Sequence, residues 1–319
     1  MRAAQDHAAG RTAPSWRAAK KTARARATGK NMTKKLLFQF DTDPAPSVFD
    51  TVVGYDGGAD HIAGYGGVTV ENVGAYVDGT IYTRGGSEKK STAIFVGGGD
   101  MAAGEAVYDA VQKRFFGPFR VSTMLDSNGS NTTAAAGVAL AVKALGGDVK
   151  GKRAVILAGT GPVGMRSAAM LGKEGATVAI VGRALDKAQK AADNIEKRFG
   201  VKVEAVEAKT ADDRAKAVAG ANMVFSAGAI GLELLAEDVW KSESSIEIVV
   251  DYNAQPPLGI GGIDAMDKAK ERHGKLALGA LGLGGLKLKL HRTLIGKLFE
   301  AADQSFDAEE IYALAKEMA

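Results

Sequence analysis

An α/β architecture of two domains, the second built on a doubly wound parallel sheet, is what these 319 residues predict. Three observations carry that prediction. Short apolar runs recur along the chain, each followed by a polar or glycine-rich loop and then a helical stretch, and this alternation makes parallel sheets covered by helices. One such run, residues 153–158, leads straight into Gly159-Thr160-Gly161-Pro162-Val163-Gly164, a GxGxxG turn set between strand and helix. The length suits two domains at roughly 150 residues each.

The elements follow in order. Residues 36–40 read as a buried strand ending in the acidic loop Asp41-Thr42-Asp43-Pro44. A helix is expected over 46–53, with Val48, Val52 and Val53 on one face, broken by Tyr55-Asp56-Gly57-Gly58. Another is expected over 68–77, after a glycine-rich turn. Strands at 91–96 and 120–125 run into Gly97-Gly98-Gly99-Asp100 and Asp126-Ser127-Asn128-Gly129-Ser130-Asn131, with helices over 102–115 and 132–145. In the second unit, strands are expected at 153–158, 177–181, 201–206, 223–226 and 246–250, and helices between 164 and 174 and over 185–199, 211–219 and 232–240. Residues 287–319 read as helical with one break at Ser305-Phe306-Asp307 and could return to the first domain. The expected division is an extension at 1–31, a first domain of 32–148 with 287–319, and a second of 149–286.

Composition narrows the function. Hydrophobic residues at 46% and charged residues at 24% are ordinary for a globular chain. No run of 18 apolar residues occurs, so neither a membrane span nor a membrane partner is expected. The absence of cysteine removes disulfides, thiolate metal sites and cysteine nucleophiles, and fits a reducing compartment. The four histidines lack metal-ligand spacing, so no metal site is expected. The net charge of +4 is uneven. Residues 1–31 hold eight basic residues and one acid, a balance of +7, whereas 32–319 hold 33 basic and 36 acidic residues, a balance of −3. Such a tail could bind nucleic acid or an anionic membrane, or serve as a transit peptide. It cannot bury a core, so it is read as an extension outside the fold, with Met32 as the natural start and no nucleic-acid partner. GxSxG, HExxH and P-loop motifs are missing, which leaves hydrolase and kinase readings without support.

The GxGxxG turn points to a dinucleotide. Gly159 permits the tight turn, Gly161 lets the backbone approach a pyrophosphate, and Gly164 allows close helix–strand packing. Thr160, Pro162 and Val163 complete the turn, and the helix behind it offers its positive end to the phosphates. The next strand ends in Arg183 where an NAD site usually carries an acid. A guanidinium can grip a 2′-phosphate, and Lys187 lies one turn further on. NADP is therefore the expected cofactor, with NAD weaker; the alternative for Arg183 is a solvated loop charge. Ser226-Ala227-Gly228 follows the fourth strand and could line the cofactor. In the loop after the fifth, Asp251 and Asn253 could reach the nicotinamide and Gln255 the substrate, or the loop could be only a proline-shaped turn. Polar loops at 41–50, 55–60 and 126–133 would gather at one end of the first sheet, although each alone could cap a helix. Lys287 and Lys289 sit on different helix faces, and one could point into the cleft.

Leu36-Leu-Phe-Gln-Phe-Asp-Thr-Asp43, Phe49-Asp50, Gly54-Tyr-Asp-Gly-Gly-Ala-Asp-His61, Leu125-Asp-Ser-Asn-Gly-Ser-Asn-Thr-Thr133, the GxGxxG turn, Asp251-Tyr-Asn-Ala-Gln-Pro-Pro257 and Gly284-Gly-Leu-Lys-Leu-Lys289 together make a pattern. It closely resembles the NADP-dependent methylene-tetrahydromethanopterin dehydrogenases of methylotrophic bacteria, across 32–319. The resemblance implies an N-terminal α/β pterin-binding domain beside a Rossmann-type NADP domain, in a cytoplasmic, trimer-based homo-oligomer. Members oxidise methylene-tetrahydromethanopterin, some also methylene-tetrahydrofolate, and resemble the bifunctional folate dehydrogenase–cyclohydrolases in fold. By resemblance and chemistry, Phe49, Asp50, Tyr55, Asp56, Asn131 and Thr133 would form the pterin pocket and Lys287 would be the active-site lysine. Hydride leaves a carbon held between two nitrogens and no proton is lost from it. Positioning and electrostatics should then carry catalysis, without a strong general base. Two other readings compete: a folate enzyme with cyclohydrolase activity, for which no committed water-activating base is evident, and an NADP-binding sensor that uses its basic tail on nucleic acid.

Overall fold

Apolar strands with helices between them build two parallel sheets in the computed structural model, which describes residues 33–319. The extension at 1–31 and the expected start at Met32 lie outside the described residues. The first half runs β1 (Leu36–Asp41), α1 (Val48–Asp56), β2 (His61–Tyr65), α2 (Val73–Ile81), β3 (Thr92–Gly97), α3 (Met101–Arg114), β4 (Ser122–Leu125) and α4 (Ser130–Ala144). The second runs β5 (Arg153–Leu157), α5 (Pro162–Lys173), β6 (Thr177–Gly182), α6 (Leu185–Phe199), β7 (Glu204–Glu207), α7 (Ala211–Val218), β8 (Met223–Ser226), α8 (Glu237–Ser242), β9 (Ile248–Asp251), β10 (Lys268–Arg272) and β11 (Lys275–Leu278). The chain ends with α9 (Ala280–Lys297), β12 (Ser305–Phe306) and α10 (Ala308–Met318).

Among the described residues the first sheet has the order β12-β4-β3-β1-β2, parallel throughout. The second has the order β10-β11-β9-β8-β5-β6-β7. Counted from β7, its six parallel strands follow the 3-2-1-4-5-6 order of a Rossmann sheet, with β10 antiparallel at the edge. The central strands β3, β8 and β9 are buried at every residue, which is why they read as unbroken apolar runs.

Helix α4 joins the two halves. It packs on α5, α9 and α10. Its alanines at 134, 135, 136, 139 and 141 are buried, and small side chains let neighbouring elements approach closely. Gly137 shows the need directly, since a Cβ there would lie 2.5 Å from the Tyr252 ring. One apolar core consequently runs from Phe95 and Met124 under the first sheet to Ile156 and Phe225 under the second.

Several elements differ from expectation. β2 is an exposed edge strand without an apolar run. β10 is the charged segment Lys-Ala-Lys-Glu-Arg, the composition that protects an open edge. β12 occupies the expected helix break, where Ser305 and Phe306 pair with Thr123 and Met124. α2 begins at Val73, and the helix expected over 232–240 shrinks to α8. Helix α9 begins at Ala280, so Lys287 lies inside it rather than opening it. Of its early glycines, Gly282 is there for contact: a Cβ on it would sit 1.9 Å from the Asp267 carbonyl oxygen, whereas one on Gly284 or Gly285 would meet nothing within 4 Å. No helix among the described residues is long and apolar enough to cross a membrane.

Candidate active site

The dinucleotide turn is built by three glycines with different tasks. A Cβ on Gly159 would lie 2.8 Å from the Ile156 carbonyl oxygen, and one on Gly164 would lie 2.7 Å from Gly159 Cα. Those two must be glycine for packing. A Cβ on Gly161 would meet nothing within 4 Å, so its backbone faces open space. Pro162 opens α5, and no side chain caps the first turn. Its N–H groups remain available to an anion. Gly161 has φ −85° and ψ 171°, a conformation open to any residue. A Gly161→Val variant should therefore melt with the wild type but bind NADP at least about tenfold more weakly, a loss of about 1.4 kcal/mol or more. Calorimetry and NADPH-fluorescence titration together check this.

Arg183 and Lys187 are exposed at the end of β6 and the head of α6, and Arg183 makes no ion pair among the described residues. Ser226 is buried with its hydroxyl beside the Asp251 carboxylate, and Ala227 and Gly228 are half-buried beyond it. Asp251 and Asn253, expected on the cofactor, turn to their own loop instead. The Asp251 carboxylate is buried and accepts the N–H groups of Asn253 and Ile260, both at 3.0 Å. Burial raises its pKa. The Asn253 side chain accepts from Gln255 N at 3.2 Å and donates to Pro257 O at 3.4 Å. A buried carboxylate at a strand end takes the nearest donors, and the loop shape follows. Gln255, expected on the substrate, is exposed and lines neither cavity described below.

A cavity of about 370 Å³ lies at the carboxyl end of the first sheet. Its walls are the loops after β1, β3 and β4, the head of α1 and Lys287. Internal bonds fix those loops. Asp41 accepts from Asp43 N and Ser47 N, each at 2.9 Å, and Asp43 accepts from Gly99 N at 2.9 Å. Ser47 caps α1 through Asp50 N at 3.2 Å. That cap places Phe49, 49% exposed, and Asp50, 8% exposed, at the cavity. Lys287 Nζ stands 4.1 Å from the centre of the Phe49 ring.

Burial dominates the electrostatics beneath this ring. It pushes the Asp50 carboxyl up to about 7, helped by the carboxylates of Asp126 and Asp41 and opposed by Ser47 and Lys287. It also lowers the Lys287 pKa, against the pull of Asp126 and Asp50. One turn further along α9, His291 is fully buried and stacks on Phe95 at 5.5 Å. Burial brings its pKa down to about 4, so the ring is neutral near pH 7. Its Nδ1 lies 3.8 Å from Asp126, too far for a hydrogen bond, and neither ring nitrogen has a partner. Asp126 is held by Thr132, through N at 3.0 Å and Oγ1 at 2.6 Å. Asn128 and Gly129 both adopt positive φ, 53° and 59°. A Cβ on Gly129 would come within 3.2 Å of Lys287 Nζ.

Sequence reasoning singled out neither Asp126 nor His291. The available signal was the four-residue step from Lys287 to His291, which puts both on one helix face. Thr133, expected in the pterin pocket, is half-buried, its Oγ1 3.9 Å from the point a Gly129 Cβ would occupy. Three expected pocket residues sit elsewhere. Asn131 is fully buried and spends its side chain on Leu125 O, Asp307 and Arg166. Tyr55 and Asp56 are exposed at the far end of α1, where Asp56 pairs with Arg292 at 2.7 Å. Distance along the helix accounts for this: the cavity takes the first turn of α1, and Tyr55 and Asp56 lie about two turns further on. Lys289 is exposed.

A larger cavity, about 720 Å³, opens between α3 and the helices α5 and α6, and Gly99 lines both spaces. Among the described residues no group of histidines and carboxylates could hold a metal ion. The site instead offers an aromatic face, a desolvated amine and buried carboxyl groups, in the same α/β body as an open glycine turn.

The sheet order and that turn define a dehydrogenase-type dinucleotide fold. Residues 48–128 match the family described as methylene-tetrahydromethanopterin dehydrogenase, N-terminal. The chain is 77% identical over 290 residues to the bifunctional protein MdtA of Methylorubrum extorquens, covering 90% of this chain and all of that one. It is 31% identical over 296 residues to the NAD(P)-dependent methylenetetrahydromethanopterin dehydrogenase of the same organism, again covering 90% of this chain and all of the relative. The chain belongs to the methylene-tetrahydromethanopterin dehydrogenase family.

Proposed function

We propose that the chain oxidises methylene-tetrahydromethanopterin reversibly to the methenyl form by direct hydride transfer to NADP⁺, and accepts methylene-tetrahydrofolate as a second substrate. The observation that carries this reading is the cavity in which Lys287, Phe49 and Asp50 converge. The open backbone at Gly161 fits a pyrophosphate, and the exposed Arg183 with Lys187 fits a 2′-phosphate. Gly159 to Gly164, Arg183, Lys187 and the strand end at Ser226, Ala227 and Gly228 would hold the cofactor. Bound NADP⁺ supplies the hydride acceptor. Phe49 offers its face to the flat pterin. Asp50, poised near pH 7, can donate or accept a hydrogen bond at the ring. Lys287 holds the substrate beside the reacting carbon. Asp50 and Asp126 put negative potential where the methenyl cation forms. The same proposal includes a substrate half at 32–148 with 287–319, a cofactor half at 149–286, and a cytoplasmic, trimer-based homo-oligomer.

The test mixes the protein with tetrahydromethanopterin, formaldehyde and NADP⁺ and follows the methenyl and NADPH absorbance bands. Both bands should grow together; silence from folded protein that binds NADP removes the reading. Repeats with tetrahydrofolate and with NAD⁺ set the specificity. Arg183→Ala should weaken NADP binding by about 1.5–3 kcal/mol, the size of a lost charged hydrogen bond, and leave NAD binding nearly unchanged. Isothermal titration with each nucleotide reads this directly, and an equal loss for both would remove Arg183 from the 2′-phosphate site.

A further inference from the structure

Arg166 is a buried charge that the proposed reaction does not use. It lies in the second turn of α5, just behind the dinucleotide turn, and is 3% exposed. Its guanidinium leaves its own half of the molecule. Nε donates to Asn131 Oδ1 at 2.9 Å, and the NH2 nitrogen donates to Glu105 at 2.6 Å. It also rests over the Phe199 ring at 5.3 Å. Asn131 passes the contact on, since its amide donates to Leu125 O at 2.8 Å and to Asp307 at 3.1 Å.

Leu125 is where the Asp126–Gly129 loop begins, and Asn131 and Thr132 follow that loop in the first turn of α4. Thr132 grips Asp126, and Gly129 abuts Lys287. A series of hydrogen bonds thus runs from Arg166, behind the dinucleotide turn, through Asn131 to the loop that lies beside Lys287. The neighbouring residue, Ser167, stays within its own half and bonds Tyr252 Oη at 2.8 Å, in the loop after β9. Simple stability is a weak reason for the Arg166 arrangement, because a buried ion pair often contributes no more than an apolar replacement. Its geometric effect is specific. The fork of one guanidinium holds α3 and α4 against the helix that carries the dinucleotide turn.

We propose that Arg166 is a positioning residue for hydride transfer: through Asn131 it fixes the dinucleotide turn relative to the Asp126–Gly129 loop and so sets the separation of the two reacting rings. This rests on the function proposed above. A misplacement of about 1 Å can cost about 100-fold in rate, so the step itself should respond more than the binding of either ligand.

The experiment compares wild type, Arg166→Lys, Arg166→Met and Asn131→Leu in single-turnover hydride transfer. The substrate carries either ordinary or dideuterated methylene carbon, over a range of temperatures. Arg166→Lys keeps the charge and loses the fork. The expected result is a transfer rate lower by about 10–100-fold in every variant, with dissociation constants for pterin and NADP within threefold of wild type. The isotope effect should become temperature-dependent where the wild type is nearly flat. Arg166→Met combined with Asn131→Leu should be no slower than either alone. A wild-type transfer rate in Arg166→Lys overturns the proposal. So does a loss of rate with an unaltered isotope effect. Failure of both Arg166 variants to fold assigns the residue to the core and also overturns it. Absence of turnover in the wild type would sink the proposed function itself, a result distinct from any of these.

Discussion

Lys287→Ala should lower kcat/KM by about 100-fold, the size of the loss when a substrate is held about 1 Å out of place. The amine sits over Phe49, between the loop holding Asp126 and the helix holding Asp50. Water competes poorly there, so its interactions with substrate are stronger than at an exposed site. Without the amine, the cavity keeps its ring and its carboxyl groups but loses the donor that holds the substrate in place. The matching control is Lys289→Ala, an exposed lysine on another face of the same helix. It should stay within about twofold of wild type, since a solvated charge contributes little. Steady-state kinetics of both variants decides the matter. Wild-type kcat/KM in Lys287→Ala would remove this residue from the reaction.

Asp50→Asn should make the protein more stable at pH 8 by roughly 2–4 kcal/mol, using about 1.4 kcal/mol for each pH unit of displacement. The folded state raises this carboxyl from 3.8 to about 7, so folding favours its protonated form. Its stabilising proton is fully present below pH 3.8 and is lost as pH rises through 7. Above that, the native protein carries a buried carboxylate, which asparagine would not. His291 acts in the opposite sense. Its pKa falls from 6.5 to about 4, so its contribution is present above pH 6.5 and lost as pH falls through 4. In the wild type the two trends offset each other between about pH 4 and 6.5, and Asp50→Asn leaves only that of His291. Urea denaturation at pH 4 and pH 8 should show the advantage at the higher pH and little at the lower. Equal shifts at both would mean that the carboxyl titrates normally.

Much of the cofactor half could be read from the chain because its signals are local. The strand at 153–157 runs into GxGxxG, and each glycine meets a steric demand within the same turn. Arg183 follows its strand directly. The substrate site was less legible because it is assembled from distant pieces. Phe49 and Asp50 depend on which turn of α1 borders the cavity, and Tyr55 and Asp56 lie beyond it. Asn131 looked like a ligand residue because it sits in a polar loop. Only the approach of Arg166 from the other half shows that its amide is already taken. Asp251 was misplaced for the reverse reason. A polar residue at a strand end can serve a ligand or its own loop, and nearby N–H groups decided for the loop. Strand β10 escaped notice because its charges read as a surface segment, and β12 because two residues carry no periodicity.

The pairing of β12 with β4 also bears on how the chain is made. The first sheet is closed by a strand at Ser305, whereas its partner ends at Leu125. The Rossmann sheet lies wholly between them, from Arg153 to Leu278. During synthesis the inserted half can therefore complete itself while the half around it still lacks an edge strand. Joining ends that far apart through a flexible chain costs about 4–5 kcal/mol of loop-closure entropy. Prior folding of the insert shortens the effective loop and removes about 1 kcal/mol of that cost. A strand at Ser305 thus finishes a sheet begun at Leu36, across the whole of the Rossmann half folded between them.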